Sequence, residues 1–336
     1  MWALLNRTPY SAERNWTRDK DGLHWWIVAV RATFDMAPDG RPTLAEEQLP
    51  PVMAPEYFGE PGKSSIRYDS DLLAPKPGTD VLLVANAHAP GGRPAPTVTV
   101  SLRVGRVRKQ LLVHGDRVYR AGTTGLRTSA PRPFTTRPIR YELAFGGTDL
   151  SDADPRNHRF DERNPIGRGL AFRPIQLVDQ LAHAIDYEGS DAAATGPAGF
   201  GPIDPAWQPR RGLAGTYDNH WARTKKPLLP DDFDPAYAMS SPTDQRVPKP
   251  LAGGERVELI NMTPQGTLVF EIPRMSLGFT SAFGRRREPH PAQLTTVLVE
   301  PEERRLSLVW QSTLRVSATE VDYLDSTEIV DTGSEM

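Results

Sequence analysis

The residues able to do chemistry are thinly spread along this chain. Its seven histidines, His24, His88, His114, His158, His183, His220 and His290, include no two at metal-ligand spacing. Cysteine is absent, which excludes disulfides, thiolate metal sites, a Cys nucleophile and iron–sulfur chemistry. Gly62, Lys63 and Ser64 mimic the end of a phosphate-binding loop, but the required first glycine falls at Tyr57 and no helical pattern follows. The dinucleotide fingerprint, the nucleophile elbow and the zinc helix H-E-x-x-H are all missing. Asp149, Asp152 and Asp154 cluster locally without the glycine and distal glutamate of a calcium loop. Asp218 lies beside His220 with no nucleophile placed by a motif, and turn chemistry accounts for that phrase. The expectation is therefore no catalytic residue, no metal and no cofactor.

What the sequence offers instead is a binding stretch. Residues 196–234, GPAGFGPIDPAWQPRRGLAGTYDNHWARTKKPLLPDDFD, are crowded with Pro and Gly yet carry five large aromatics. Disordered linkers are poor in aromatics, and proline and glycine forbid regular helix or central strand here. The stretch is expected to be ordered and irregular. Its candidate partner-binding residues are Trp207, Arg210, Trp221 and Arg223, with Phe200, Tyr217 and Phe233, because Trp and Arg dominate interface hot spots. The competing expectation is that the aromatics are pegs fixing the fold. A second set, Gly146, Gly147, Asn164, Gly167 and Gly169, sits in the tight phrases FGGTD and NPIGRG and is expected to be architectural.

The elements that position these residues are β. Residues 24–36 (HWWIVAVRATFDM) form a strand by composition and end at the turn Pro38-Asp39-Gly40. Residues 80–89, 97–104, 107–114, 117–120 and 139–145 follow as strands, with 97–104 alternating so that one face is wet. Strands resume at 256–260, 267–272, 294–300 and 305–311. Leu177, Leu181, Ala184 and Ile185 have helical spacing. The expected fold is mainly β. Sandwich-like lobes at 1–145 and 251–316 are joined by an irregular excursion, 146–250, packed on the framework. An acidic tail, 317–336, should be a short helix or a frayed end.

Composition sets the remaining bounds. A formal charge of -2 over 336 residues gives no global pull toward nucleic acid or membrane, and no apolar run is long enough for a spanning helix. No export signal is visible, so a cytoplasmic location is expected. Residues 91–145 hold eleven Arg or Lys and two acids, a local asymmetry assigned to a solvated strand face ahead of a docking face or nucleic acid.

Several phrases occur together in order: WALLNRTPYSAERNWTRDKDGLHWWIVAVRATFD, YELAFGGTD, DERNPIGRG, PAGFGPIDPAWQPR, AGTYDNHWARTKKPLLPDDFD and VELINMTPQGTLVFEIPR. With these the chain resembles the type VI secretion accessory proteins. The resemblance implies a non-catalytic adaptor or chaperone in the bacterial cytoplasm. It would bind a toxic effector, often one with a PAAR-like tip domain, and help load it on the spike. The family lends no catalytic residues, and residues 175–189 depart from its usual proline-rich acidic phrase. The alternatives are a carbohydrate-binding β-sandwich, recognisable by an exposed row of coplanar Trp, and a hydrolase, recognisable by a cleft with convergent perturbed groups.

Overall fold

In the computed structural model, which describes residues 2–123 and 125–333, strands dominate and helix accounts for only 11%. A seven-stranded sheet runs in the order Arg246–Val247, Thr79–Leu83, Ala292–Glu300, Arg305–Val316, His24–Met36 and Ser11–Arg18, with Pro42–Leu44 also paired to His24–Met36. A five-stranded sheet orders Ile185–Tyr187, Val107–His114, Thr97–Val104, Arg256–Ile260 and Thr267–Glu271. A four-stranded sheet holds Ala3–Asn6, Leu324–Asp331, Leu277–Phe283 and Arg286–His290. One contiguous apolar cluster draws on all three, including Val28, Leu102, Leu111, Leu308, Phe279 and Ile329.

The strand patterns explain the layering. Along Thr97–Val104 the even positions Val98, Val100, Leu102 and Val104 are buried, while Thr99 and Arg103 face water. The strand His24–Met36 is an almost unbroken apolar run because both faces are covered. One face joins the main core through Val28 and Val30. On the other, Ile27 and Ala29 meet Leu72, and Arg31 donates to Pro50 O. The segment spanning 45–76 thus straps the outer face of the large sheet.

Several expectations are corrected. The two sequence blocks do not form separate lobes, since both larger sheets contain strands from 1–145 and from 251–316 paired directly with one another. Residues 139–145 make a 3-10 turn, Tyr141–Leu143, in place of a strand. The helical spacing of 177–185 produces no helix: a 3-10 turn ends at Leu177, Leu181 is exposed, and Ile185–Tyr187 is a strand on the edge of the five-stranded sheet. Apart from one 3-10 turn, Val321–Tyr323, the acidic tail is neither helix nor frayed end through Asp331, and residues 334–336 lie outside those described. Leu324–Asp331 is a central strand, parallel to Ala3–Asn6 and antiparallel to Leu277–Phe283, with Leu324, Thr327 and Ile329 turned inward. Asp325 and Glu328 point out, where Arg7 meets Glu328 and Asp325 accepts from Gly284 N, while Asp331 accepts from the buried Tyr10 hydroxyl.

A buried polar chain joins the four-stranded sheet to the seven-stranded one. Trp26 Nε1 donates to Thr327 Oγ1 (2.8 Å), Thr327 meets Ser281 Oγ (2.7 Å), and His290 lies between Ser281 (2.9 Å) and Ser312 (2.6 Å). Burial pushes the His290 imidazole down to about 4, so it sits there neutral.

Candidate partner-binding surface

The stretch 196–234 divides into an inner and an outer half. In the inner half, Phe200, Trp207 and Arg210 are all buried, at 1%, 5% and 0% exposure. Phe200 O accepts from Leu83 N and from Gln245 Nε2, which seats the chain on the large sheet. Trp207 stands edge-on to Tyr141 at 5.7 Å, and the Tyr141 hydroxyl donates back to Gly201 O. Arg210 donates from Nη1 to Ile203 O and from Nε to Tyr237 O, both at 2.8 Å. Its Nη2 lies 2.7 Å from Asp69 of the strap, so one guanidinium ties three segments together.

Two further cations complete this anchorage. Lys76 reaches Asp80 (2.9 Å), whose carboxylate also takes Ser240 N, Ser241 N and the Ser241 hydroxyl. Burial alone would raise Asp80; Lys76, the Ser241 hydroxyl and the Ser240 amide hold it below the usual carboxylate range. Lys109 donates to Asp244 and Gln245, each at 2.9 Å, with its ammonium 5.6 Å from the Phe200 ring. Burial brings that ammonium down to about 8 against the pull of Asp244. Phe200, Trp207 and Arg210 therefore touch the framework, and a partner has no access to them in this fold.

The outer half is built differently. Asp218 caps the short helix Asn219–Thr224 by accepting from Trp221 N (2.8 Å). Asp232 closes the loop by taking Thr216 N (2.9 Å) and Thr216 Oγ1 (2.7 Å). Trp221 Nε1 donates to Leu228 O (2.8 Å), and Tyr217, 52% exposed, stands edge-on to Trp221 at 4.7 Å. Phe233 is half-buried against Tyr237, while Arg223 is exposed with Nε on Asn219 O. Leu228 lies over Gly22 in the turn of the first hairpin, and Lys20 Nζ donates to Asp231 O. Of the seven candidates, the structure leaves Tyr217 and Arg223 exposed and Trp221 and Phe233 half-buried, all four outside the core.

The architectural set gathers at one crossing. Asn164, fully buried, donates to Tyr141 O and Phe145 O at 2.8 and 2.9 Å. Gly146 and Gly147 have φ of +144° and +121°, which L side chains rarely adopt, and a Cβ on Gly146 would overlap Asn164 O. Gly167 is held by space, not by backbone angle, since a Cβ there would strike Asn164 Nδ2 and Ala144 O. A Cβ on Gly169 would strike the Tyr119 hydroxyl.

Sequence spacing missed one cluster. His114 and His183 converge on Asp186 at 3.2 and 2.9 Å, with Arg117 Nη2 at 2.6 Å. Thr97 Oγ1 meets His114 Nδ1 and Tyr119 OH meets His183 Nδ1, both at 2.9 Å. Both imidazoles thus point Nε2–H at the carboxylate and accept on Nδ1. Burial would raise Asp186, but the two histidines and Arg117 keep it well below the usual range. The cluster lines an open groove of about 640 Å³. All four imidazole nitrogens and both carboxylate oxygens have ring, hydroxyl or guanidinium neighbours within the cluster, so it ties the edge strand Ile185–Tyr187 to Val107–His114. No signal in the sequence links residues about seventy positions apart.

The basic stretch 91–145 also changes character in the fold. Arg103 pairs with Glu258, Lys109 with Asp244, Arg117 with Asp186 and Arg120 with Asp179, so acids outside the stretch pair four of its eleven cations, and Arg137 pairs with Asp116 inside it. The phosphate-loop mimic closes on itself, Ser64 Oγ accepting from Gly59 N, and leads into the strand Ile66–Tyr68. Among the described residues no helix is long and apolar enough to cross a membrane.

Among curated proteins and among solved structures, nothing matches this chain. One family model does, over residues 21–311, which takes in the five-stranded sheet, the seven-stranded sheet apart from Ser11–Arg18 and the end of Arg305–Val316, and the whole excursion. The chain belongs to that family, described as an uncharacterized protein conserved in bacteria (DUF2169).

Proposed function

We propose that this protein is a non-catalytic adaptor that holds another polypeptide on the outer half of its excursion. Under the resemblance to type VI secretion accessory proteins, that polypeptide is a toxic effector, with a PAAR-like tip domain, held in the bacterial cytoplasm for loading on the spike. The observation that supports this reading is the outer loop itself. Tyr217, Trp221 and Arg223 stand outside the core on a turn held by Asp218, Asp232 and the Trp221–Leu228 hydrogen bond. A surface braced in this way loses little conformational freedom on binding, and Trp, Tyr and Arg supply most hot-spot energy.

The competing readings have less support. A glycan platform needs coplanar exposed Trp, whereas Trp2, Trp16 and Trp26 stack with interplanar angles of 64° and 46° and Trp26 is buried. A hydrolase would use the groove beside Asp186, where the polar groups are already paired with one another.

Co-purification of the proposed effector tests the proposal. Wild-type protein should retain it, and Trp221→Ala should stay folded while binding roughly thirtyfold more weakly, about 2 kcal/mol. Undiminished capture by a folded Trp221→Ala, Tyr217→Ala double variant would refute this surface.

A further inference from the structure

We infer that the strap spanning 45–76 is joined to the large sheet by a single buried water molecule, bound in a cavity of about 20 Å³ between them. The inference is independent of the adaptor reading. The sheet contributes Arg31, Thr296 and Ser307 to the lining, and the strap contributes Asp69, Asp71 and Lys76. Ser240, on the limb that returns from the excursion, lines it as well.

Several polar atoms around the cavity are already bonded within the protein. Lys76 Nζ donates to Asp80 at 2.9 Å and to Thr296 Oγ1 at 3.0 Å, and Asp71 accepts from Val52 N at 2.8 Å. Arg31 donates from Nη1 to Pro50 O at 3.3 Å and from Nη2 to Ser307 Oγ at 3.1 Å. Others are left over. Arg31 Nε, Asp69 Oδ1, Ser240 Oγ and the Nε of Arg67, which also lines the cavity, have no hydrogen-bond partner among the described residues. Asp69 Oδ2 has the Arg210 ion pair at 2.7 Å. Arg31, Asp69 and Ser240 are only 4%, 8% and 0% exposed, so bulk solvent does not serve them. Buried polar atoms in native proteins are nearly always met by protein or by ordered water, because leaving them unbonded forfeits the hydration they had in the unfolded chain.

Volume and chemistry together select the occupant. A bound water needs roughly 10–15 Å³ and two to four polar partners, so the cavity takes one water and excludes an organic ligand. Arg31 Nε and Arg67 Nε present N–H donors, Asp69 Oδ1 presents an acceptor, and the Ser240 hydroxyl serves as either. A cation there would lie against guanidinium protons, and an anion against a carboxylate. Water accepts from an arginine while donating to Asp69 and Ser240. It thereby links a sheet strand, the strap and the returning limb beside the Arg210–Asp69 pair.

A high-resolution crystal structure of the full-length protein, repeated after bromide and rubidium soaks, tests the site directly. One density peak within hydrogen-bond distance of Asp69 Oδ1 and Ser240 Oγ, with no anomalous signal from either soak, is the expected result. A cavity without a peak overturns the inference, and an anomalous bromide or rubidium signal there overturns it in favour of an ion. Oxygen-17 relaxation dispersion reads the same site in solution by counting long-lived waters. Ser240→Val, which exchanges the hydroxyl for methyl groups, should hold one fewer than wild type. An equal count in folded Ser240→Val overturns the inference, and if that variant does not fold the wild-type density decides.

Discussion

The inner and outer halves of residues 196–234 share a composition and differ in everything else. Trp207 and Arg210 lie in the core and on the strap, whereas Trp221 and Arg223, only fourteen and thirteen positions further on, project from a self-closed loop. Trp and Arg in an irregular segment are thus no index of binding on their own. The inner Arg210 joins two backbone carbonyls and a buried carboxylate, while the outer Arg223 makes one hydrogen bond within its own helix. The inner half is packed into the framework as an anchor, and the outer half is what the anchor presents.

The largest effects should come from breaking the anchor. Arg210→Ala leaves Asp69 buried without its partner and should cost roughly 3–5 kcal/mol; Trp207→Ala, which empties the site against Tyr141, should cost ~3–5 kcal/mol. Urea denaturation reads both. Stability changes below about 1 kcal/mol would place these residues outside the anchor.

Acid should weaken the framework beneath both halves through His290. Its folded pKa, about 4, lies below the ordinary histidine value of 6.5, so between those limits the unfolded chain binds a proton that the native protein does not. Stability is fully present above about pH 6.5 and falls as pH drops toward 4, by about 3 kcal/mol from this group. A His290→Gln variant should show a flatter stability profile across that window; a profile with the wild-type slope would exclude His290 as its source.

Smaller effects sharpen the boundary between the halves. Gly147→Val forces a β-branched side chain into a φ of +121° beside Gly167 O and should destabilise by about 1 kcal/mol or more. An unchanged melting temperature would contradict that role. Arg223→Ala should change stability by no more than about 0.5 kcal/mol, as expected for an exposed side chain. A larger loss would make the outer half part of the anchor.

The fold was legible wherever a strand carried its own pattern. Residues 24–36, 97–104 and 107–114 announce themselves by β-branched runs or alternation, and the structure gives the same bounds. Leu324–Asp331 was illegible because its acids mask Leu324, Thr327 and Ile329, and because its parallel partner, Ala3–Asn6, lies at the opposite end of the chain. Residues 139–145 read as strand from Ile139, Tyr141 and Phe145. There the buried Asn164 side chain takes the carbonyls of Tyr141 and Phe145, so the segment turns. In the candidate site the aromatic stretch was visible, but its division was not. Burial of Trp207 depends on Tyr141, and that of Arg210 on Asp69, neither of which is near in sequence.

The most direct measurement compares Trp207→Ala and Trp221→Ala on matched preparations, each assayed for unfolding free energy and for capture of the proposed effector. The account predicts that Trp207→Ala loses several kcal/mol of stability and binds only as its folded fraction allows, while Trp221→Ala keeps its fold and loses capture about thirtyfold. The opposite pattern, a stable Trp207→Ala that fails to bind beside a Trp221→Ala that binds normally, would contradict it.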